Sequence, residues 1–244
     1  MKLLTLILSG LLALPAQAKE PEPEPKPTAK VLRYAFRVAE TSFDPSQLTD
    51  IYSRTVTAAI FEALYRYDHL ARPVQIKPLV AAAMPEMSAD FRSFTVKIQP
   101  GIYFADDEAF KGKPRELTAA DFVYMYKRFA DPALKSPGWS SMEEADLLGL
   151  AALRKQALDS KQPFNYEKEI EGLRALDRYT IQFKTAKSRP RLIETILTGS
   201  DLYGALAREV VEHYGDKIGE HPVGTGPFKL AEWRRSSRIV LEKN

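Results

Sequence analysis

The 244-residue chain contains no cysteine. That absence excludes disulfides, thiol nucleophiles and thiolate metal sites, and leaves stability to a packed core. It also removes the residue on which a bacterial lipoprotein carries its lipid, so no lipid anchor is expected. Histidine is nearly as scarce, with three copies at His69, His213 and His221. Charge of one sign is lacking as well. The 35 Lys and Arg stand against 32 Asp and Glu, a balance that gives no reason to expect nucleic acid or an anionic membrane as partner. No segment repeats at a period of about 20–50 residues, which excludes a solenoid or propeller.

Long hydrophobic runs are missing too, apart from one at the start. Lys2 precedes Leu3–Leu14, interrupted by Thr5, Ser9 and Gly10; Pro15 breaks the run and Ala16-Gln17-Ala18 follows. A positive start, a short apolar stretch and a small-x-small site form a secretory signal pattern, with cleavage expected after Ala18. The alternative, an N-terminal membrane anchor, needs about 20 apolar residues. Residues 19–30 alternate charge with proline and are expected to form an extended, solvated spacer. The expected destination is the periplasm, or secretion.

The fold is expected to begin at Val31. Residues 31–38 read as a strand, Asp44-Pro45 as a turn, and 53–64 as an amphipathic helix capped by Ser53. Residues 91–98 and 102–104 are β-like around the turn dipeptide Pro100-Gly101. Thr118-Ala119-Ala120-Asp121 is a capping-box variant, and Phe122, Val123, Tyr126 and Phe129 follow on one helix face, stopped by Asp131-Pro132. A helix is expected from Glu143 to about Leu158, with its acidic residues at the N-terminal end. Residues 172–184 read as a hairpin, the stretch after Pro190 and residues 205–214 as helices, and 227–233 and 238–241 as strands. Hairpins mixed with helices argue for a mixed α/β (α+β) fold.

Catalytic chemistry does not assemble. Glu209 and His213 share a helix face, but a helical zinc motif needs a second His where Glu209 stands, so a solvated face is the plainer reading. Ser200 lacks the flanking glycines of a nucleophile elbow. Gly224-Thr225-Gly226 lacks the third glycine of a phosphate cradle. Glu143, Glu144 and Asp146 suit a helix end better than an acid–base pair. No enzyme, cofactor or metal is expected; the chain reads as a binder.

Four segments then carry a resemblance. They are Phe43-Asp44-Pro45 with Ile60–Asp68; Phe94–Asp106 leading into Leu117–Tyr124, Lys127-Arg128 and Asp131-Pro132; Gly172–Asp177; and Pro222-Val223-Gly224-Thr225-Gly226-Pro227-Phe228, with Trp233 and Ile239–Asn244 after it. In this order the chain resembles the extracellular solute-binding proteins of family 5, the oligopeptide and dipeptide binders of ABC importers. It departs at Ala105 and Asp107, where the family's usual motif has His and Gly, and at Ala63, usually Gly. The resemblance implies a periplasmic-binding-protein-like type II lobe over residues 31–244, incomplete and with the second lobe missing. It further implies a peptide ligand captured between lobes, permease subunits in the inner membrane as partners, and a monomer. By position, Val38, Ala39, Glu40 and Thr41 would form this lobe's share of the peptide-facing edge through their backbone groups; the same residues could instead simply end a strand. Trp139 would be a stacking wall or a core tryptophan. Gly224, Thr225, Gly226 and Pro227 would shape a tight turn near the hinge. A nickel chelate, haem or sugar ligand stays open within the family, and outside it a truncated chain that binds no solute and acts as a periplasmic interaction module.

Overall fold

The computed structural model describes residues 30–244. The expected signal peptide and nearly all of the expected spacer lie outside them. Residues 30–35 are exposed and carry no helix or strand; the main body runs from Phe36 to Asn244.

The strand expected over 31–38 is absent. Its alternation is real, but a strand exists only with a ladder partner, and the strands among the described residues all pair with one another. Further on, the Asp44 carboxylate accepts from the Ser46 N–H at 3.1 Å and opens a 3₁₀ turn, Pro45–Gln47. Helix α1 (Ile51–Ile60) starts at Asp50, not at Ser53. The Asp50 carboxylate takes the Ser53 N–H at 2.7 Å and its hydroxyl at 2.6 Å, so Ser53 is a third-position partner of the cap. The helix stops at Ile60 because Phe61 turns extended.

Strands β1 (Tyr65–Tyr67) and β2 (Ile76–Pro78) form a small hairpin, followed by β3 (Glu86–Met87) and β4 (Ser93–Lys97). Residues 102–104 contribute a single bridge, Tyr103 to Glu116, and no strand. Helix α2 (Ala119–Ala130) forms as its pattern predicts. The Asp121 carboxylate reaches back to the Thr118 N–H at 2.7 Å, and Phe122, Met125, Tyr126 and Phe129 are buried.

The helix expected from Glu143 is two helices, α3 (Trp139–Ala145) and α4 (Leu150–Ser160). Asp146 (φ 59°) and Gly149 (φ 85°) are left-handed between them, which no α-helix accommodates. Glu143 and Glu144 therefore lie at the C-terminal end of α3 and not at a helix N-terminus. The hairpin β5 (Leu173–Asp177) and β6 (Thr180–Lys184) matches its alternation, with Ile181 and Phe183 buried. A π turn (Ile193–Leu197), α5 (Ser200–Tyr203), α6 (Arg208–Tyr214), and the hairpin β7 (Phe228–Arg234) and β8 (Arg238–Lys243) complete the order.

The strands make three antiparallel sheets, β1-β2, β3-β4-β6-β5 and β7-β8, so the mixed α/β expectation holds. Helix α2 packs across β5 and β6. Tyr126 sets its ring edge on Phe183 with centroids 5.3 Å apart and donates its hydroxyl to the Ile196 carbonyl at 2.7 Å. The helix also carries Arg128, which is 2% exposed and donates through two nitrogens to the fully buried Asp44 at 2.7 and 2.9 Å. That pair ties α2 to the turn that follows residues 38–41.

Candidate functional site

Val38, Ala39 and Thr41 are exposed, whereas Glu40 is 5% exposed. The Glu40 side chain turns inward and one carboxylate oxygen accepts twice, from Trp233 Nε1 at 2.5 Å and from the Ser236 N–H at 3.1 Å. Trp233 in turn packs its ring 4.6 Å from that of Phe43. Glu40 thus fastens the segment to the turn between β7 and β8.

Thr41 is fastened at both backbone groups. Its N–H donates to the Ser53 hydroxyl at 2.9 Å and its carbonyl accepts from Arg235 at 3.3 Å, while its own hydroxyl donates to Asp50 at 2.6 Å. Its N–H therefore has nothing left for a guest, and one of the two lone pairs of its carbonyl is already taken. No backbone hydrogen bond joins Val38 or Ala39 to another backbone group among the described residues, and those two present the open part of the segment.

Burial pushes the Glu40 carboxyl upward, but the bonds from Trp233 and Ser236 and the nearby Arg235 charge outweigh it, and the net shift is downward. A lowered carboxylate pKa stabilises the fold above its unfolded value and stops doing so as the pH falls through the folded one. Urea unfolding of the wild type is expected to lose this contribution below about pH 5, with a flatter acid limb in Glu40→Gln. Superimposable profiles would show that these bonds do not favour the charge.

Gly224 and Gly226 meet a close approach and not a left-handed backbone. A Cβ on Gly224 would lie 2.2 Å from the Ile60 carbonyl oxygen, and one on Gly226 2.5 Å from it. The Gly226 N–H donates to that oxygen at 2.8 Å, Gly224 accepts from the Ala105 N–H at 2.9 Å, and the Thr225 hydroxyl donates to Glu62 at 3.0 Å. Asn244 closes the loop from the other side, its N–H on the Pro227 carbonyl at 2.9 Å and its side-chain amide on that of Gly226 at 3.0 Å. The motif is a backbone clasp joining the end of α1 to the β7–β8 hairpin.

Trp139 opens α3, half-buried against the core, with the Arg154 guanidinium 4.8 Å over its ring. These contacts suit packing. Glu209 pairs with Arg115 at 2.8 Å and His213 with Glu108 at 2.9 Å. His221 stacks on Tyr214 at 3.7 Å. Ser200 accepts from the Ala63 N–H at 3.1 Å. Each of these side chains has a structural partner, and none adjoins another as a nucleophile and base would.

Two residues central to this region were not singled out for it in the sequence. Trp233 appeared only within the family motif, and Arg235 not at all. No local signal joins either to Glu40 or Thr41, since the contacts span 193 and 194 positions.

The family model for the bacterial extracellular solute-binding proteins, family 5, matches residues 75–244. The chain belongs to that family. Among its relatives is the periplasmic oligopeptide-binding protein OppA of Salmonella typhimurium, 28% identical over 208 residues, a match covering 83% of this chain and 34% of OppA. The glutathione-binding protein GsiB of Pectobacterium atrosepticum is 24% identical over 204 residues, covering 83% and 32%. Among solved structures, Haemophilus influenzae OppA in complex with the peptide RPPGFSPFR superposes with a TM-score of 0.67 at 26% identity, covering 84% of this chain and 36% of that one. DppA of Helicobacter pylori in complex with the peptide STSA gives 0.64 at 26% identity, covering 84% and 37%. The chain thus spans about a third of the length of these relatives. Its fold is that of the type II periplasmic binding proteins, and the family is one of solute-binding proteins, not of enzymes.

Proposed function

We propose that this chain supplies one wall of a cleft that takes an extended peptide, within the exported binding component of an ABC importer. The observation that carries the reading is the segment Val38–Glu40: exposed at Val38 and Ala39, outside any sheet, and pinned from behind by the buried Glu40. An edge held in this way can receive a guest strand without first ordering itself, which lowers the entropic cost of binding. The leader-like first eighteen residues support a periplasmic location, and the family supports inner-membrane permease subunits as partners. The protein acts as a monomer that binds and releases its solute without chemistry.

A ligand on one wall keeps much of its water, so the chain by itself binds weakly. Titration of the isotopically labelled chain with mixed di- to pentapeptides, followed by NMR, is expected to show dissociation constants weaker than micromolar. The shifts should centre on residues 38–40 and on the 234–237 turn. Micromolar binding, or shifts confined to other parts of the fold, would refute this assignment.

A further inference from the structure

The near-balance of charge over the whole chain hides a local excess. Residues 66–77, the hairpin of β1 and β2, hold Arg66, Arg72 and Lys77 against the carboxylate of Asp68. Asp68 pairs with Lys77 at 3.2 Å. Arg66 is exposed, and its guanidinium makes no ion pair or hydrogen bond among the described residues. Its charge is felt through space by Asp68 and by Glu62, but Glu62 is half-buried and turned to Thr225. Arg72 spends one nitrogen on two carbonyls of its own turn, His69 at 3.2 Å and Ala71 at 2.8 Å, and pairs with no carboxylate among the described residues. On the adjoining segment Arg191 is neutralised by Glu194 at 2.5 Å. Two arginines of the hairpin are thus left with their charge open to solvent.

The same tip carries apolar side chains that the fold does not cover. Leu70 is 91% exposed, Val74 69% and Tyr67 43%. Exposed apolar residues scattered singly are ordinary, but a group of them rimmed by charge marks an interaction surface. The tip is also held in shape. The Asp68 N–H donates to the Gln75 carbonyl at 2.8 Å and the Ala71 N–H to the Asp68 carbonyl at 3.3 Å. The Leu70 N–H donates to the Asp68 carboxylate at 3.0 Å. With Arg72 bonded across the turn, these contacts fix a bend that keeps the Leu70 side chain pointing outward.

We infer that the β1–β2 tip is a contact site for an anionic lipid surface. This goes beyond the peptide-binding reading and does not depend on it. A bilayer offers, in order of depth, what the tip presents. Lipid phosphates meet the open guanidinium forks of Arg66 and Arg72. The headgroup level suits the amphipathic ring of Tyr67, and the hydrocarbon boundary takes Leu70 and Val74. A tip that stands out needs no matching cleft on so yielding a partner. The contact is weak and reversible, since two cations and two short aliphatic side chains are fewer than stable anchoring takes. Its effect is to raise the concentration of the protein at the membrane surface.

The test is sedimentation with vesicles of phosphatidylcholine alone, and of phosphatidylcholine mixed with phosphatidylglycerol in equal parts. It uses the chain from Lys19 onward, which omits the apolar leader and keeps the whole described body. At low salt the mixed vesicles are expected to bind about tenfold more tightly than the neutral ones, a difference that shrinks as salt rises. Arg66→Gln and Arg72→Gln each lower binding to the mixed vesicles about fivefold, the effect of one basic residue near such a surface. Leu70→Ser lowers it by about as much. Lys155→Gln on the exposed face of α4 removes the same charge elsewhere and leaves binding unchanged. Because the chain has no cysteine, Leu70→Cys and Ala152→Cys each create a single site for an environment-sensitive dye. The dye at the tip is expected to shift to the blue on mixed vesicles, and the dye on α4 to stay as it was. Equal losses in Lys155→Gln and the tip variants, or a shift of the α4 dye alone, overturn the assignment to the tip. No binding to either vesicle at millimolar lipid overturns the lipid contact and leaves an acidic protein surface as the partner that these charges fit. Matching urea unfolding of Arg66→Gln, Leu70→Ser and the wild type shows that the losses are not losses of fold.

Discussion

Arg128→Met is expected to destabilise the domain by about 3–5 kcal/mol, the usual effect of leaving a buried charge without its partner. Asp44 is fully buried, and its carboxylate accepts two bonds from Arg128 and two from Ser46. Methionine preserves much of the aliphatic stem but leaves the carboxylate in a dry interior. Urea unfolding measures the effect, and a loss under about 1 kcal/mol would mean that water or another cation reaches Asp44. The double variant Arg128→Met with Asp44→Leu is expected to recover most of the loss, because removing both charges removes the cost of desolvating them. It should still fall short of the wild type by about 1 kcal/mol, since Asp44 also caps the Pro45–Gln47 turn.

Gly226→Ala is the second large effect. The added methyl would run into the backbone at the end of α1, 2.5 Å from the Ile60 oxygen, 2.7 Å from its carbon and 2.8 Å from the Ala59 oxygen. Backbone cannot swing aside as a side chain can, so overpacking costs about 3 kcal/mol and the Gly226–Ile60 hydrogen bond is lost with it. Gly101→Ala gives the contrast. Gly101 has φ 80° with nothing near its absent Cβ, so only the left-handed backbone penalty applies, about 1 kcal/mol. Hydrogen exchange should show β7 and β8 losing protection in Gly226→Ala and keeping it in Gly101→Ala. Equal effects of the two substitutions would show that the clasp is not a close approach.

Much of this fold was legible because its signals are local. The capping box at Thr118–Asp121 and the alternation through β6 each concern neighbours within one turn or one strand. The failures share a cause of the opposite kind. Residues 31–38 alternate like a strand, but alternation says nothing about whether a partner strand is at hand. The expected helix from Glu143 broke because Asp146 and Gly149 take a left-handed conformation that their apolar, helix-favouring neighbours Ala145, Leu147, Leu148 and Leu150 do not announce. At α1, Asp50 and Ser53 are both good caps, and only the geometry shows that the first accepts from the second. The candidate site was the least legible part. Residues 38–41 stand in it by position within the family pattern alone. What holds them, Glu40 on Trp233 and Thr41 under Arg235, joins the two ends of the domain.

That long-range fastening has a bearing on when the domain can close. A chain that leaves the ribosome, or threads a secretion channel, front end first presents Glu40 early and Trp233 almost 200 positions later. Asp44 likewise meets Arg128 only after 84 further residues. Until then Glu40 lacks the donors of the β7–β8 turn and Asp44 has only its local bonds from Ser46, and contacts so distant in sequence form slowly. On this order the leading part of the domain sets only when the last hairpin arrives, as a chain that crosses a membrane unfolded would require.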